Sequence, residues 1–188
     1  MLRPFLTELL QRYVARFPAE ATLAERFLSF AAAHDDCLWR TCVPGHLTAS
    51  AWVLSPDGGS ALLLHHKKLG RWLQPGGHVD GEPRLDLAAL REAREESGLQ
   101  QLEFVPLSAD GPMPLDLDVH PIPARGAEPA HEHFDVRFLL RAAPGQSLVL
   151  SDESHALRWC AHDELAALTD EPSVLRLRDK ARQLGQTR

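Results

Sequence analysis

The amino-acid sequence predicts an α/β fold in which a mixed β-sheet lies between layers of helix, with a helical extension ahead of it. Three patterns carry this expectation. Apolar residues recur at helical spacing from residue 2 to residue 33. From Leu47 the period shortens to that of strands. A glycine-rich loop around residues 76–81 then opens into a charged helix that another glycine closes. Strand, strand, glycine loop, helix, strands and final helices is the order expected of a mixed sheet covered on both faces.

The elements follow in order. Residues 2–17 place Leu6, Leu9, Leu10, Val14 and Phe17 near one helical face, and Pro18 interrupts the run. Residues 19–33 form a second helix with Leu23, Phe27, Leu28 and Phe30 apolar. These stripes need a covering surface, either their own domain or a second copy of the chain, and a homodimer contact is the arrangement expected. Residues 1–44 are accordingly read as an extension and 45–188 as the main domain. Residues 47–55 and 61–66 read as strands joined across Pro56-Asp57-Gly58-Gly59, a strong turn signal. Residues 72–74 are extended. A helix is expected over 83–97, with Pro83 in its first turn and Gly98 as its stop. Residues 99–107 and 116–120 read as extended, with a proline-rich loop at 123–128. In 132–140 Phe134, Val136 and Phe138 take one face, and His133, Asp135 and Arg137 the other. A short strand at 158–160 and helices at 163–168 and 173–185 complete the chain.

The chemistry concentrates at Gly76 to Leu99. On a helix Glu92, Glu95 and Glu96 fall within a sector of roughly 100°. Like charges at this spacing destabilise a helix by about 0.2–0.5 kcal/mol per pair. Carboxylates that repel one another beside a glycine turn imply a cation. Hard oxygen ligands suit Mg²⁺ or Mn²⁺, and these ions suit phosphate oxygens. A solvated Glu/Arg face with an ordinary Arg91–Glu95 pair is the competing reading, but it does not account for the flanking glycines.

Residues 77–99 closely resemble the Nudix box, G-x5-E-x7-R-E-U-x-E-E-x-G-U, where U is aliphatic. Gly77, Arg91-Glu92, Ala93, Glu95-Glu96, Gly98 and Leu99 match it without a gap. One position departs: the first box glutamate would fall at Pro83, with Glu82 one residue early. The resemblance implies the Nudix α/β/α sandwich over roughly residues 45–170. It also implies a metal-dependent enzyme that hydrolyses a diphosphate bond in a nucleoside-diphosphate-linked small molecule. Carried over by position, Glu92, Glu95 and Glu96 would hold Mg²⁺ or Mn²⁺, with the Gly77 carbonyl as a further ligand. Arg91 would orient a neighbouring carboxylate. The general base would be Glu92 or Glu95, with Asp152 and Glu153 as alternatives outside the box. His78, directly after the glycine pair, together with Arg71 and His133, is a candidate for substrate contact.

Composition sets the outer limits. The chain has 188 residues and a formal charge of −6. With a pI near 5.9, it shows no basic balance of the kind that binds a nucleic-acid polymer. No apolar run reaches the length of a membrane span. Residues 1–17 mix Arg3, Arg12, Arg16 and Glu8 into the apolar positions, unlike a signal peptide. Three cysteines do not make a disulfide framework, and a reducing cytoplasm is expected. His34, Cys37, Cys42 and His46 lie within thirteen residues, but H-x2-C-x4-C-x3-H is not a standard zinc spacing, and buried thiols explain the cysteines more simply. His131 and His133 share a strand face with Asp135 beside them, a pattern open to metal binding or to plain exposure. The His65-His66-Lys67-Lys68 run reads as a solvated hairpin end.

Two other functions fit the same fold. Isopentenyl diphosphate isomerases are similar in their glycine-histidine turn, but they use a cysteine just before it, where this chain has Pro75-Gly76. A non-catalytic nucleotide-sensing module would typically lose box carboxylates, and this chain keeps all three on the helix.

Overall fold

The structure, a computed structural model, describes residues 2–185. Helix α1 (Leu2–Arg16), a 3₁₀ turn (Pro18–Glu20) and α2 (Ala21–Ala33) precede the sheet. Strands β1 (Gly45–Leu54), β2 (Ser60–His66), β3 (Arg71–Leu73) and β4 (Gly76–His78) lead into α3 (Leu85–Ser97). Then come β5 (Leu102–Phe104), β6 (Asp116–Ile122), β7 (His131–Ala142) and β8 (Ser154–Ala161), and finally α4 (Leu165–Leu168) and α5 (Pro172–Gln183).

The sheet is mixed. Its main path runs β3-β2-β1-β7-β5; β4 also pairs with β1, β6 with β7 and β8 with β2. β1 and β7 are parallel, in register from Gly45 opposite Glu132 to Leu54 opposite Arg141. The other named pairs are antiparallel. β1 is buried along its whole length, as a central strand covered on both faces must be.

Alternation along β1 and β7 divides the two faces. Leu47, Ala49, Phe134, Val136 and Phe138 join a core with α1, α2 and the start of α3. Ala51, Val53 and Leu140 continue that face beneath Ala93. On the opposite face Trp52, Leu54 and Leu139 pack under Leu165, Val174 and Leu177 of α4 and α5. Toward the start of β1 and β7 this second face turns polar, with His46, Thr48, Ser50, His133, Asp135 and Arg137. The covered sheet of the expected α/β sandwich is therefore present, and one quarter of it is polar.

The subunit contact expected of the N-terminal helices is not needed to cover them. Leu6, Leu9, Leu10 and Tyr13 of α1 and Phe27 and Phe30 of α2 are buried within the chain. Phe30 stacks on Phe134 at 4.0 Å between ring centroids, and Phe27 meets the same ring edge-on. Arg26 holds both Glu132 carboxylate oxygens at 2.7 Å. Lys180 of α5 binds the Tyr13 hydroxyl and Glu20 at 2.6 Å and Asp116 at 2.8 Å, which locks the extension to the last helix.

Most predicted elements appear within a few residues of their expected bounds. Three differ. Gly76–His78 is a strand and not a loop, because its backbone pairs with Thr48–Ser50 of β1. α3 begins at Leu85, and Pro83 stands outside it. The turn before it uses Asp80 and Gly81, both at positive φ, and the Glu82 carboxylate accepts the Arg84 N–H at 2.8 Å. Within residues 99–107 only Leu102–Phe104 is a strand.

Candidate active site

Strand β4 is the base of the site. A Cβ added at Gly76 would lie 2.2 Å from the Ser50 Cβ, so the neighbouring strand fits only against glycine. A Cβ added at Gly77 would lie 2.7 Å from a Glu92 carboxylate oxygen. Bare backbone thus lets α3 bring its acids directly onto the strand. The Gly76 N–H donates to Glu96 Oε2 at 2.8 Å. Gly98 in the left-handed conformation then ends the helix, as its position predicts.

Arg91 organises the acids. Its guanidinium reaches Glu92 at 2.8 Å and Glu95 at 3.1 Å, and donates to the His78 carbonyl at 2.8 Å. Glu92 and Glu96 are sheltered, while the Glu95 side chain is 58% exposed. Burial pushes the Glu92 carboxyl up to about 7, with Arg91 opposing and Glu95 and Asp80 adding to the rise. Burial likewise raises Glu96 to about 8, against the Gly76 N–H and with the charges of Glu92, Glu153 and Glu95. Two sheltered acids beside a third, with one arginine between them, hold protons that a bound cation would displace. This donor set fits a hard divalent cation: Glu92, Glu95 and Glu96 would hold it, with the Gly77 carbonyl adjacent.

The second feature is a group of five imidazoles on the polar quarter of the sheet. His46 and His133 are register partners in β1 and β7, and His78 is opposite Thr48. His120 is opposite His133, and His131 lies two residues along β7. Ring centroids are 4.6 Å apart for His46–His133, 5.0 Å for His46–His78 and His46–His131, and 5.4 Å for His120–His133. Burial lowers the pKa of His46 to about 4, helped by His78 and His131, and lowers that of His133 and His78 too. Burial thus favours the neutral form of all three. His46 is fully buried with neither ring nitrogen hydrogen-bonded among the described residues. Each such orphan costs about 1–3 kcal/mol.

Below the imidazoles the polar face is well paired. Asp135 accepts from Thr48 at 3.1 Å, Ser50 at 2.8 Å and Arg137 at 2.8 Å. Asp118 accepts from Arg137 at 2.9 Å and joins the His120 ring at 2.8 Å. Arg176 of α5 closes the network on Asp116 and Asp118.

The structure brings Glu92, Glu95, Glu96, Arg91, Gly77 and His78 together. His133 lies on the opposite face of the sheet from these acids, its ring 5.5 Å from that of His78. Arg71 is engaged elsewhere, ion-paired with Glu171. Asp152 and Glu153 are exposed, and the charge of Glu153 is felt at Glu96. The Cys/His quartet does not assemble. His34 and Cys42 cluster with Asp36, whereas His46 turns to the other histidines. Sequence reasoning missed His46 and His120 as members of this group. The signal was their place on strand faces, but it becomes readable only once β1 is known to pair with β7.

The fold, the glycine strand and the carboxylate helix define a NUDIX-type protein. A family profile described as NUDIX domain matches residues 44–179, and the chain belongs to that family. Among curated proteins the chain is similar to one provisionally named 8-oxo-dGTP diphosphatase 3 from Mycobacterium tuberculosis. It is 32% identical over 129 residues, which cover 62% of this chain and 52% of that protein. The chain thus spans about half the length of the curated relatives it matches. Among solved structures it is similar to a C. elegans Ap4A hydrolase, with TM-score 0.57 and 22% identity, covering 73% of this chain and 95% of the other. A NUDIX-family hydrolase from Clostridium perfringens gives TM-score 0.57 at 21% identity, covering 74% and 96%. The E. coli dihydroneopterin triphosphate pyrophosphohydrolase gives 0.57 at 20%, covering 71% and 92%. These three structures support the fold. No helix among the described residues is long and apolar enough to cross a membrane.

Proposed function

We propose that the chain is a Mg²⁺- or Mn²⁺-dependent hydrolase that cleaves a diphosphate bond in a small nucleotide or nucleoside-diphosphate-linked molecule. The observation that carries this reading is the placement of Glu92 and Glu96 against the Gly76-Gly77 backbone, with Arg91 tying Glu92 to Glu95 one turn of the same helix away. A divalent cation held by these carboxylates would neutralise charge at the phosphate oxygens and make a water more acidic. Arg91 fixes Glu92 and Glu95 by tying both to the His78 carbonyl. Glu95, the most exposed of the three, takes the proton of the attacking water; as the water oxygen bonds to phosphorus, the bridging P–O bond breaks and the second phosphate leaves. Glu92 is the alternative base within the box, and Glu153 the alternative outside it, favoured over Asp152 by its electrostatic reach to Glu96.

The names of the relatives suggest where to look for the substrate: 8-oxo-dGTP, Ap4A and dihydroneopterin triphosphate all join a heteroaromatic group to a phosphoanhydride chain. Hydrolysis of these compounds, of ADP-ribose and of NDP-sugars, assayed with Mg²⁺ and with Mn²⁺, tests the reading. Glu92→Gln, Glu95→Gln and Glu96→Gln are each expected to cut turnover of the best substrate by roughly tenfold to a hundredfold or more, with the fold intact by circular dichroism. Glu153→Gln should leave most of it. A panel-wide absence of turnover, or wild-type turnover in all three box variants, refutes the assignment.

A further inference from the structure

We propose that His46, His131 and His133 form a second metal site, selective for a transition ion of the zinc class and separate from the carboxylate site. One ligand nitrogen from each of the three can be chosen so that all lie within 4.8 Å of one another. His131 Nε2 and His133 Nε2 are 3.3 Å apart. Two nitrogens each about 2.0–2.1 Å from one zinc ion at a tetrahedral angle are separated by about the same distance.

The surroundings point the same way. His131 Nδ1 is 2.9 Å from the Pro129 carbonyl, which can only accept, so Nδ1 carries the proton and Nε2 presents its lone pair. A ring held by a backbone carbonyl at its far nitrogen is the usual arrangement of a metal-binding histidine. His46 is wholly buried with no hydrogen bond of ordinary geometry at either ring nitrogen. The Cys42 carbonyl is close enough to favour a proton on the ring, and a ligand nitrogen of His46 lies within the group formed with His131 and His133. His78 also has an unpartnered Nε2, and its ring is 5.0 Å from that of His46, but it stands outside the three-residue group. His120, held by Asp118, stands beside His133 as an outer partner.

Chemistry sorts the two sites. Imidazole donors favour zinc, nickel, copper and iron, whereas carboxylates and carbonyls favour magnesium and manganese. The sites lie on opposite faces of the sheet, joined through β4: Gly77 faces Glu92 and its neighbour His78 faces His46. An ion at the imidazoles would place positive charge on the sheet face opposite the carboxylates.

Zinc alone, titrated into chelator-stripped protein and followed by equilibrium competition and elemental analysis, tests this without reference to turnover. One tight equivalent per chain is expected in the wild type and in Glu92→Gln and Glu95→Gln. His131→Ala and His133→Ala should weaken that affinity by at least roughly 100-fold, beyond the 10–100-fold typical of losing an outer partner. His131 sits at the edge of the group and His133 at its centre; unchanged circular dichroism will show that each variant folds, and should either fail, His131→Gln replaces it. Co²⁺ bound in place of zinc should give the intense visible bands of a tetrahedral nitrogen site. The proposal is overturned if the wild type binds no zinc more tightly than the histidine variants. It is equally overturned if binding disappears with the box glutamates, since the ion would then belong to the carboxylate site. Neither result bears on hydrolysis with Mg²⁺.

Discussion

Glu92 and Glu96 show how a fold can hold a ligand set under tension. In the metal-free protein their carboxyls titrate near 7 and 8, above the ordinary glutamate range, because burial disfavours their charge. The folded chain therefore keeps protons that the unfolded chain releases. Stability should fall as pH rises from about 4.5 through about 8, the direction that linkage requires when the native state binds more protons. Thermal melts in EDTA at pH 5 and pH 8.5 (values set by roughly that window) should show the drop. Mg²⁺ should recover it at the higher pH, and Glu96→Gln should flatten the slope. A melt that is flat in EDTA would contradict the burial of these acids. At this scale the carboxylates were legible in the sequence, because their spacing on one helix is local. His46 was not: its neighbours come from residues 78, 131 and 133, and proximity in sequence to Cys37 and Cys42 pointed the wrong way.

Strand β4 carries two glycines with different obligations. An added methyl at Gly76 would meet the Ser50 Cβ and Cα and the Ala49 carbonyl, atoms of a central strand that cannot move. At Gly77 its three nearest neighbours would all be atoms at the end of the Glu92 side chain. Gly76→Ala is expected to abolish folding or lower the melting temperature sharply. Gly77→Ala should fold, with its main loss in Mg²⁺ affinity and turnover. Parallel melting and metal titrations separate the two, and equal destabilisation would contradict the geometry. The same strand marks a limit of reading by pattern. Three residues of Gly-Gly-His carry no alternation, so pairing with β1 decides their conformation, and that pairing is non-local. The displaced helix start has a local cause that the pattern concealed. Pro83 suits a first helical turn, but the Asp80-Gly81 reversal and the Glu82 contact to the Arg84 N–H place the helix two residues later.

For the molecule as a whole, the amphipathic stripes of α1 and α2 were readable, but their partner was not. An apolar stripe states that something covers it, not what. Here the cover is internal, and Leu10 is 1% exposed. Leu10→Glu is therefore expected to unfold a monomer and not to split a dimer, and light scattering of the intact protein should give a mass near 20.9 kDa. A wild type of twice that mass, converted to a stable monomer by the substitution, would reverse this.

The bond between Lys180 and Tyr13 has a consequence in time. Its partners are 167 residues apart in sequence. At synthesis rates of about 5–20 residues per second, the first helix leaves the ribosome roughly ten to thirty seconds before the lysine that secures it. Until β7 and then the last helix have been made, α1 and α2 lack the sheet face and the helix they pack on, and their leucine and phenylalanine faces are open to other chains. Folding of this protein is closed by its late residues, which makes the nascent N-terminal hairpin the segment most in need of a chaperone's cover.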